Sequence, residues 1–188
     1  MPTEFVLLLM TGLLFTGALA SYHDWRAHRI PNAVVLGGLI YALAVFAALV
    51  VDSGMAAMPT VLRHGLLGLL VAALVMFVPY RLRQVGAGDV KLMMMFGFYL
   101  GPVGGMLALL NGALIGGIWA LWISWRRQGL AKAWANMKLM GRTAWVSGFQ
   151  ELGWDLKSAG AVTMPYGVAL SAGAALVAVW QLWLRLAA

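Results

Sequence analysis

Residues 33–51, AVVLGGLIYALAVFAALVV, form an apolar stretch that contains no charged side chain. A helix rises about 1.5 Å per residue and needs about 20 apolar residues to cross the hydrocarbon core of a bilayer. This stretch has the length and composition of a transmembrane helix. It therefore predicts an integral membrane protein.

The whole chain has the same character. Of its 188 residues, 63% are hydrophobic and only 10% are charged, whereas a soluble domain carries about 25% charged residues. A soluble globular protein is excluded on this ground, because the chain has too little polar surface to cover itself in water. Cysteine is absent, which excludes disulfides, cysteine zinc sites and thiol catalysis.

Similar apolar stretches on both sides of residues 33–51 predict an all-α fold, a single membrane-embedded domain over residues 1–188 with about six transmembrane helices. The fourth helix has 12 residues and would cover about 18 Å, which is too short to cross a bilayer alone. The first helix is expected to be retained rather than cleaved as a signal peptide, since no basic residue precedes it. The predicted helices are Glu4–Ser21, Ala33–Val51, Val61–Tyr80, Asp89–Leu100, Val103–Trp125 and Val162–Leu186.

Basic residues are concentrated in three segments that alternate with the predicted helices. Segments 22–32, 81–91 and 126–161 hold two, three and six of the 13 Lys and Arg residues. The positive-inside rule places these segments in the cytoplasm and both termini outside. Segment 126–161 also has helical spacing of its apolar residues, which predicts a broken amphipathic helix on the inner leaflet. A plain tether between two helices is the alternative.

Two of the six acidic residues lie at predicted cytoplasmic helix ends. Asp24 follows the first helix, and Asp89 closes Gly86-Ala87-Gly88-Asp89 and opens the fourth helix. Glycines at 86 and 88 allow positive φ angles and close backbone approach, and the helix dipole favours a carboxylate in a first turn. The plain alternative is that Asp89 is an N-terminal helix acid and Asp24 a loop charge.

Two carboxylates that lie together share a proton, because like charges a few Å apart do not both ionise easily. One carboxylate then activates water as a general base, and the other polarises a peptide carbonyl and protonates the leaving amine. The sequence contains no competing site: its three histidines lack metal-ligand spacing, and no Gly-x-Ser-x-Gly motif is present. No metal or cofactor is therefore predicted.

Three ordered segments carry a resemblance to a known family. Asp24 followed by Arg29-Ile30-Pro31-Asn32, then Gly86-Ala87-Gly88-Asp89-Val90-Lys91-Leu92, and finally Met164-Pro165-Tyr166-Gly167 resemble the prepilin peptidases, the type IV prepilin leader peptidases. The resemblance implies that Asp24 and Asp89 are catalytic and that the leader of pilin-like precursors is cleaved at the cytoplasmic face of the bacterial inner membrane. Motif support is implied for Gly86, Gly88, Pro31, Asn32, Pro165, Tyr166 and Gly167.

The resemblance also sets expectations about partners and subtype. The expected partners are a prepilin substrate and the lipid bilayer, with no nucleic acid. Arg29 and Lys91 are candidates for contact with substrate or lipid phosphate, although membrane topology alone also explains their charge. Longer family members carry a cysteine-rich zinc site linked to methylation. This chain looks like the short form associated with tight-adherence (Flp) pili, so no methyltransferase activity is predicted.

Two alternatives stay open at this point. A presenilin-like intramembrane aspartic peptidase also carries a Gly-x-Gly-Asp motif, but segment 29–32 and the small size of the chain disfavour it. A non-catalytic membrane component of a secretion or pilus system is the other alternative. It is disfavoured because acids at membrane level are costly.

Overall fold

The computed structural model describes residues 2–82, 84–127, 138 and 164–187, and within them it contains helices and no strand. The predicted all-α class is confirmed. We label the helices α1 (Thr3–Ala27), α2 (Asn32–Ser53), α3 (Met58–Arg81), α4 (Ala87–Arg127) and α5 (Tyr166–Leu186), and a 3₁₀ turn, Met55–Ala57, connects α2 to α3. Five described helices are long and apolar enough to cross a membrane.

Helix α4 reverses its direction at Gly101. This residue has φ 75° and ψ 179°, which is not helical, and glycine adopts such a positive φ without steric cost. A Cβ atom on Gly105 would lie 2.9 Å from the Cα of Gly97, whereas residues eight apart in a straight helix are separated by about 12 Å. Residues 87–100, the short arm, and residues 102–127, the long arm, therefore run in opposite directions.

The predicted count of six transmembrane helices is not confirmed, because five described helices are long and apolar enough to cross a membrane. The fourth and fifth predicted helices correspond to the two antiparallel arms of α4. The short arm does not face lipid along its length. A Cβ on Gly68 of α3 would collide with the carbonyl oxygen of Gly97, as expected where small residues let helix backbones approach closely. Residues of the short arm that are almost fully buried are Leu92, Met93, Met95, Phe96 and Tyr99.

The long arm packs on α5, where a Cβ on Gly112 would lie 2.9 Å from the Cα of Leu170. Near the end of the long arm, Trp119 stacks on Trp25 of α1 with 5.9 Å between ring centroids. The C-terminal ends of α1 and the long arm therefore lie at the same end of the bundle as the start of α5. The starts of α2 and the short arm lie there too, and we call this the basic end.

Several helix boundaries differ from the sequence prediction. Helix α1 continues past Ser21 to Ala27 and ends where His28 adopts a left-handed conformation with φ 47°. Helix α5 begins at Tyr166, after Pro165, and the start predicted for it at 162 lies outside the described residues. So does most of segment 126–161, together with the amphipathic helix predicted there.

Candidate active site

Asp24 lies in the last turn of α1 rather than in a loop, and its side chain is only 6% exposed. A buried carboxylate requires hydrogen-bond donors. The backbone N–H of Gly167 donates to Asp24 Oδ2 at 2.7 Å. Gly167 is the second residue of α5, where backbone N–H groups have no partner within the helix and the helix dipole favours a negative charge. Asp24 therefore caps the start of another helix.

Gly167 leaves no space for a side chain at this contact. A Cβ atom there would lie 2.9 Å from Asp24 Oδ2 and 2.8 Å from Ile30 Cδ1. The backbone of α5 approaches Asp24 this closely because residue 167 is glycine. The motif glycine of the third sequence segment thus has a direct structural role at the carboxylate.

Asp89 is the third residue of the short arm and is held by the turn before it. The backbone N–H of Gly86 donates to Asp89 Oδ2 at 3.0 Å. In return, the Gly86 carbonyl accepts hydrogen bonds from the N–H groups of Asp89 and Val90, at 3.1 and 3.3 Å. The bond from the Gly86 N–H to the Asp89 side chain is one half of a capping box. The other half is absent because glycine has no side chain to accept the Asp89 N–H, and the Gly86 carbonyl accepts it instead.

Gly86 and Gly88 do not adopt the positive φ angles that glycine allows. Among the described residues, positive φ glycines occur only at Gly54 and Gly101. A Cβ on Gly86 would lie 3.3 Å from Asp89 Oδ2, whereas one on Gly88 would make an ordinary 3.4 Å contact with Ile30. The contact at Gly86 is the tighter of the two, and a side chain there would require a small shift of the Asp89 carboxylate.

Both carboxylates line one cavity of about 300 Å³ at the basic end. Two exposed cations, Arg29 and Lys91, also line it, and Lys91 Nζ donates to Asn32 Oδ1 at 3.1 Å. No group of three or more potential metal ligands occurs in the part of the chain that the structure describes. The full lining is Asp24, His28, Arg29, Ile30, Asn32, Gly86, Ala87, Gly88, Asp89 and Lys91.

The remaining predicted motif residues do not line this cavity. Pro31 and Pro165 directly precede α2 and α5, and their carbonyl oxygens accept the N–H groups of Val34 and Val168, at 3.1 and 3.2 Å. The ring of Tyr166 packs against Gly116 of the long arm. These residues fix where two helices begin and how α5 is held, and so they place the Gly167 amide.

The sequence analysis gave no role to three residues of the cavity, His28, Ile30 and Ala87. His28 ends α1 by donating its backbone N–H to the carbonyl of Asp24 at 2.9 Å, in a left-handed conformation that is uncommon outside glycine. Ile30 is 8% exposed and packs between Gly88 and Gly167. Ile30 is the one aliphatic residue in the basic segment between α1 and α2, and this was the available sequence signal for its burial. No sequence signal indicated the left-handed conformation of His28.

Comparison with known proteins gave one match. The family model described as "Type IV leader peptidase family" matches residues 8–121, more than half of the chain. The matched range contains both carboxylates and ends before α5. No curated protein and no solved structure matches the chain.

Proposed function

The chain belongs to the type IV leader peptidase family, and from this premise we propose that it is an aspartic endopeptidase that removes the leader of pilin-like precursors. Family membership indicates a peptidase. The five long apolar helices indicate a multi-pass membrane protein. The aspartic mechanism, the substrate and the site residues are our proposal.

One observation carries the proposed mechanism: Asp24 and Asp89, on different helices, line the same cavity. Each has its Oδ2 fixed by a backbone N–H, from Gly167 and Gly86 respectively. Backbone donors cannot rotate away as side chains do, so both carboxylates are oriented before substrate arrives. Such preorganisation is what acid–base catalysis requires of its groups.

The reaction follows from a proton shared between the two carboxylates. The ionised aspartate removes a proton from water as the water oxygen attacks the scissile carbonyl carbon, while the protonated aspartate donates a hydrogen bond to the carbonyl oxygen. The tetrahedral intermediate then collapses and the C–N bond breaks. The aspartate that polarised the carbonyl gives its proton to the leaving amine. Because the pair acts as a unit, the roles of its members are defined only together.

The proposed location is the bacterial inner membrane, with the basic end in the cytoplasm. The distribution of Lys and Arg supports this orientation. Because the cavity lies at the basic end, the leader would then be cut at the cytoplasmic membrane surface. Arg29 and Lys91 are proposed to contact the substrate backbone or lipid phosphates near the cavity entrance.

The finer proposals concern the substrate subtype. We propose a tight-adherence (Flp) type precursor and no methylation of the new N-terminus. The test is incubation of a purified precursor with the protein in membranes, followed by mass determination of the product. The expected product has lost the leader in a single cut and carries an unmodified amine. A cut inside a membrane-spanning segment of the precursor would instead favour the presenilin-like alternative.

A further inference from the structure

A second cavity adjoins the candidate active site on the lipid-facing side of α2. It has a volume of about 280 Å³ and lies between α2, α3 and the short arm of α4. We call it the α2–α4 groove. Two of its residues, Asn32 and Lys91, also line the active-site cavity. Its full lining is Asn32, Val35, Leu36, Leu39, Leu69, Lys91 and Met94.

The groove has a polar end and an apolar body. The polar end is the hydrogen bond between Lys91 and Asn32, at 3.1 Å, and this bond lies on the boundary with the active-site cavity. The rest of the lining is aliphatic or methionine, and Leu36 is 59% exposed. This arrangement matches a substrate peptide that is polar before the bond to be cut, in the active-site cavity, and apolar after it, in the groove.

From this continuity we infer that the α2–α4 groove binds the apolar transmembrane segment of the precursor, in the turns that directly follow the bond to be cut. This inference rests on the proposed function. The bound segment is helical within the bilayer, because its backbone polar groups have no water to bond there. From Asn32 to Leu39 the groove extends about 10 Å along α2, which is enough for about two helical turns.

A larger groove between α1 and α2 does not fit this role, although its volume is about 630 Å³. It shares no lining residue with the active-site cavity. On α2 it is lined by residues 33, 34, 37, 38 and 41, whereas the α2–α4 groove uses 32, 35, 36 and 39. At 3.6 residues per turn these two sets lie on opposite faces of α2, so the larger groove is separate from the groove that continues into the active-site cavity.

Neighbouring residues on α2 provide a matched test. Leu36 lines the α2–α4 groove, and Gly37 lines the other groove, where a Cβ atom meets nothing within 4 Å. A photo-crosslinking residue is placed at 36 or at 37 in an Asp89→Asn background that leaves the precursor uncut. We expect crosslinks from 36 to the start of the apolar segment and only background from 37. Equal yields, a product from 37 alone, or crosslinks from 36 to lipid only would overturn the inference.

A kinetic arm uses active protein. Leu36→Trp fills the α2–α4 groove and is expected to raise KM for the membrane precursor about tenfold, the equivalent of about 1.4 kcal/mol, with kcat little changed. Gly37→Trp is the control and should behave as the unaltered protein. If the unaltered protein cuts the precursor and Leu36→Trp has the same KM, only the groove inference fails. If the unaltered protein does not cut the precursor, the proposed function fails with it.

Discussion

At the scale of single residues, the two carboxylates were predicted from sequence, but their immediate surroundings were not. Asp24 and Asp89 stood out because each occurs in a motif at a helix end. The bond from Gly167 to Asp24 joins residues distant in the chain, and only the packed fold brings them together. Of the two properties of glycine considered for Gly86 and Gly88, neither residue uses a positive φ, whereas both lie close to a neighbouring side chain, Asp89 and Ile30 respectively.

The Gly167–Asp24 contact yields a prediction at this scale. Gly167→Ala places a Cβ 2.9 Å from Asp24 Oδ2, so the carboxylate must move and its hydrogen bond lengthens. Hydrogen bonds to charged groups contribute about 1.5–3 kcal/mol, so we expect kcat/KM to fall about 10- to 100-fold.

Gly88→Ala is the matched control for this prediction, because its Cβ would make an ordinary 3.4 Å contact with Ile30. It should keep most of the activity in the same precursor-cleavage assay. Equal losses in the two variants would show that the close approach at Gly167 has no special importance.

At the scale of helices, the sequence predicted the short helix and its end at Gly101-Pro102 but not its position. Periodicity cannot reveal that a 12-residue helix is enclosed by its neighbours, because burial is set by tertiary contacts. In the structure the short arm is buried, and the Tyr99 hydroxyl donates to the Gly38 carbonyl at 2.7 Å.

The contact between α3 and the short arm yields a stability prediction. In Gly68→Ala the new Cβ collides with the carbonyl of Gly97, and the helices must separate. Overpacking of this kind costs about 1–3 kcal/mol, so the thermal unfolding midpoint in detergent should fall. Gly37→Ala, where the Cβ meets open space, should unfold at or slightly above the original temperature. A Gly68→Ala protein as stable as the original would contradict the close α3–α4 packing.

At the scale of the whole molecule, the charge distribution and the helix directions agree. The described basic residues of segments 22–32 and 81–91 lie at the basic end, together with Arg126. The reversal of α4 at Gly101 is what brings Arg126 to that end. Simple alternation of helices thus predicted correctly that segments 22–32, 81–91 and the start of segment 126–161 lie at the same end of the bundle. The number of transmembrane helices was not confirmed.

Membrane orientation can be measured because the chain has no cysteine. Ser53 and Gln84 are both exposed and lie at opposite ends of the bundle. In intact cells, Ser53→Cys should react with a membrane-impermeant thiol reagent, and Gln84→Cys should react only after the membrane is opened. The reverse pattern would contradict a cytoplasmic basic end.

The central claim is that Asp24 and Asp89 form one catalytic unit, and amide substitution tests it most directly. An Asn side chain still accepts the backbone hydrogen bond but cannot exchange the catalytic proton. Precursor cleavage should fall at least about 10²-fold in Asp24→Asn and in Asp89→Asn, and the double variant should be no worse. Asp52→Asn, at the other end of the bundle, should cleave normally. Clear turnover by either single variant, at matched protein levels, would contradict the two-aspartate mechanism.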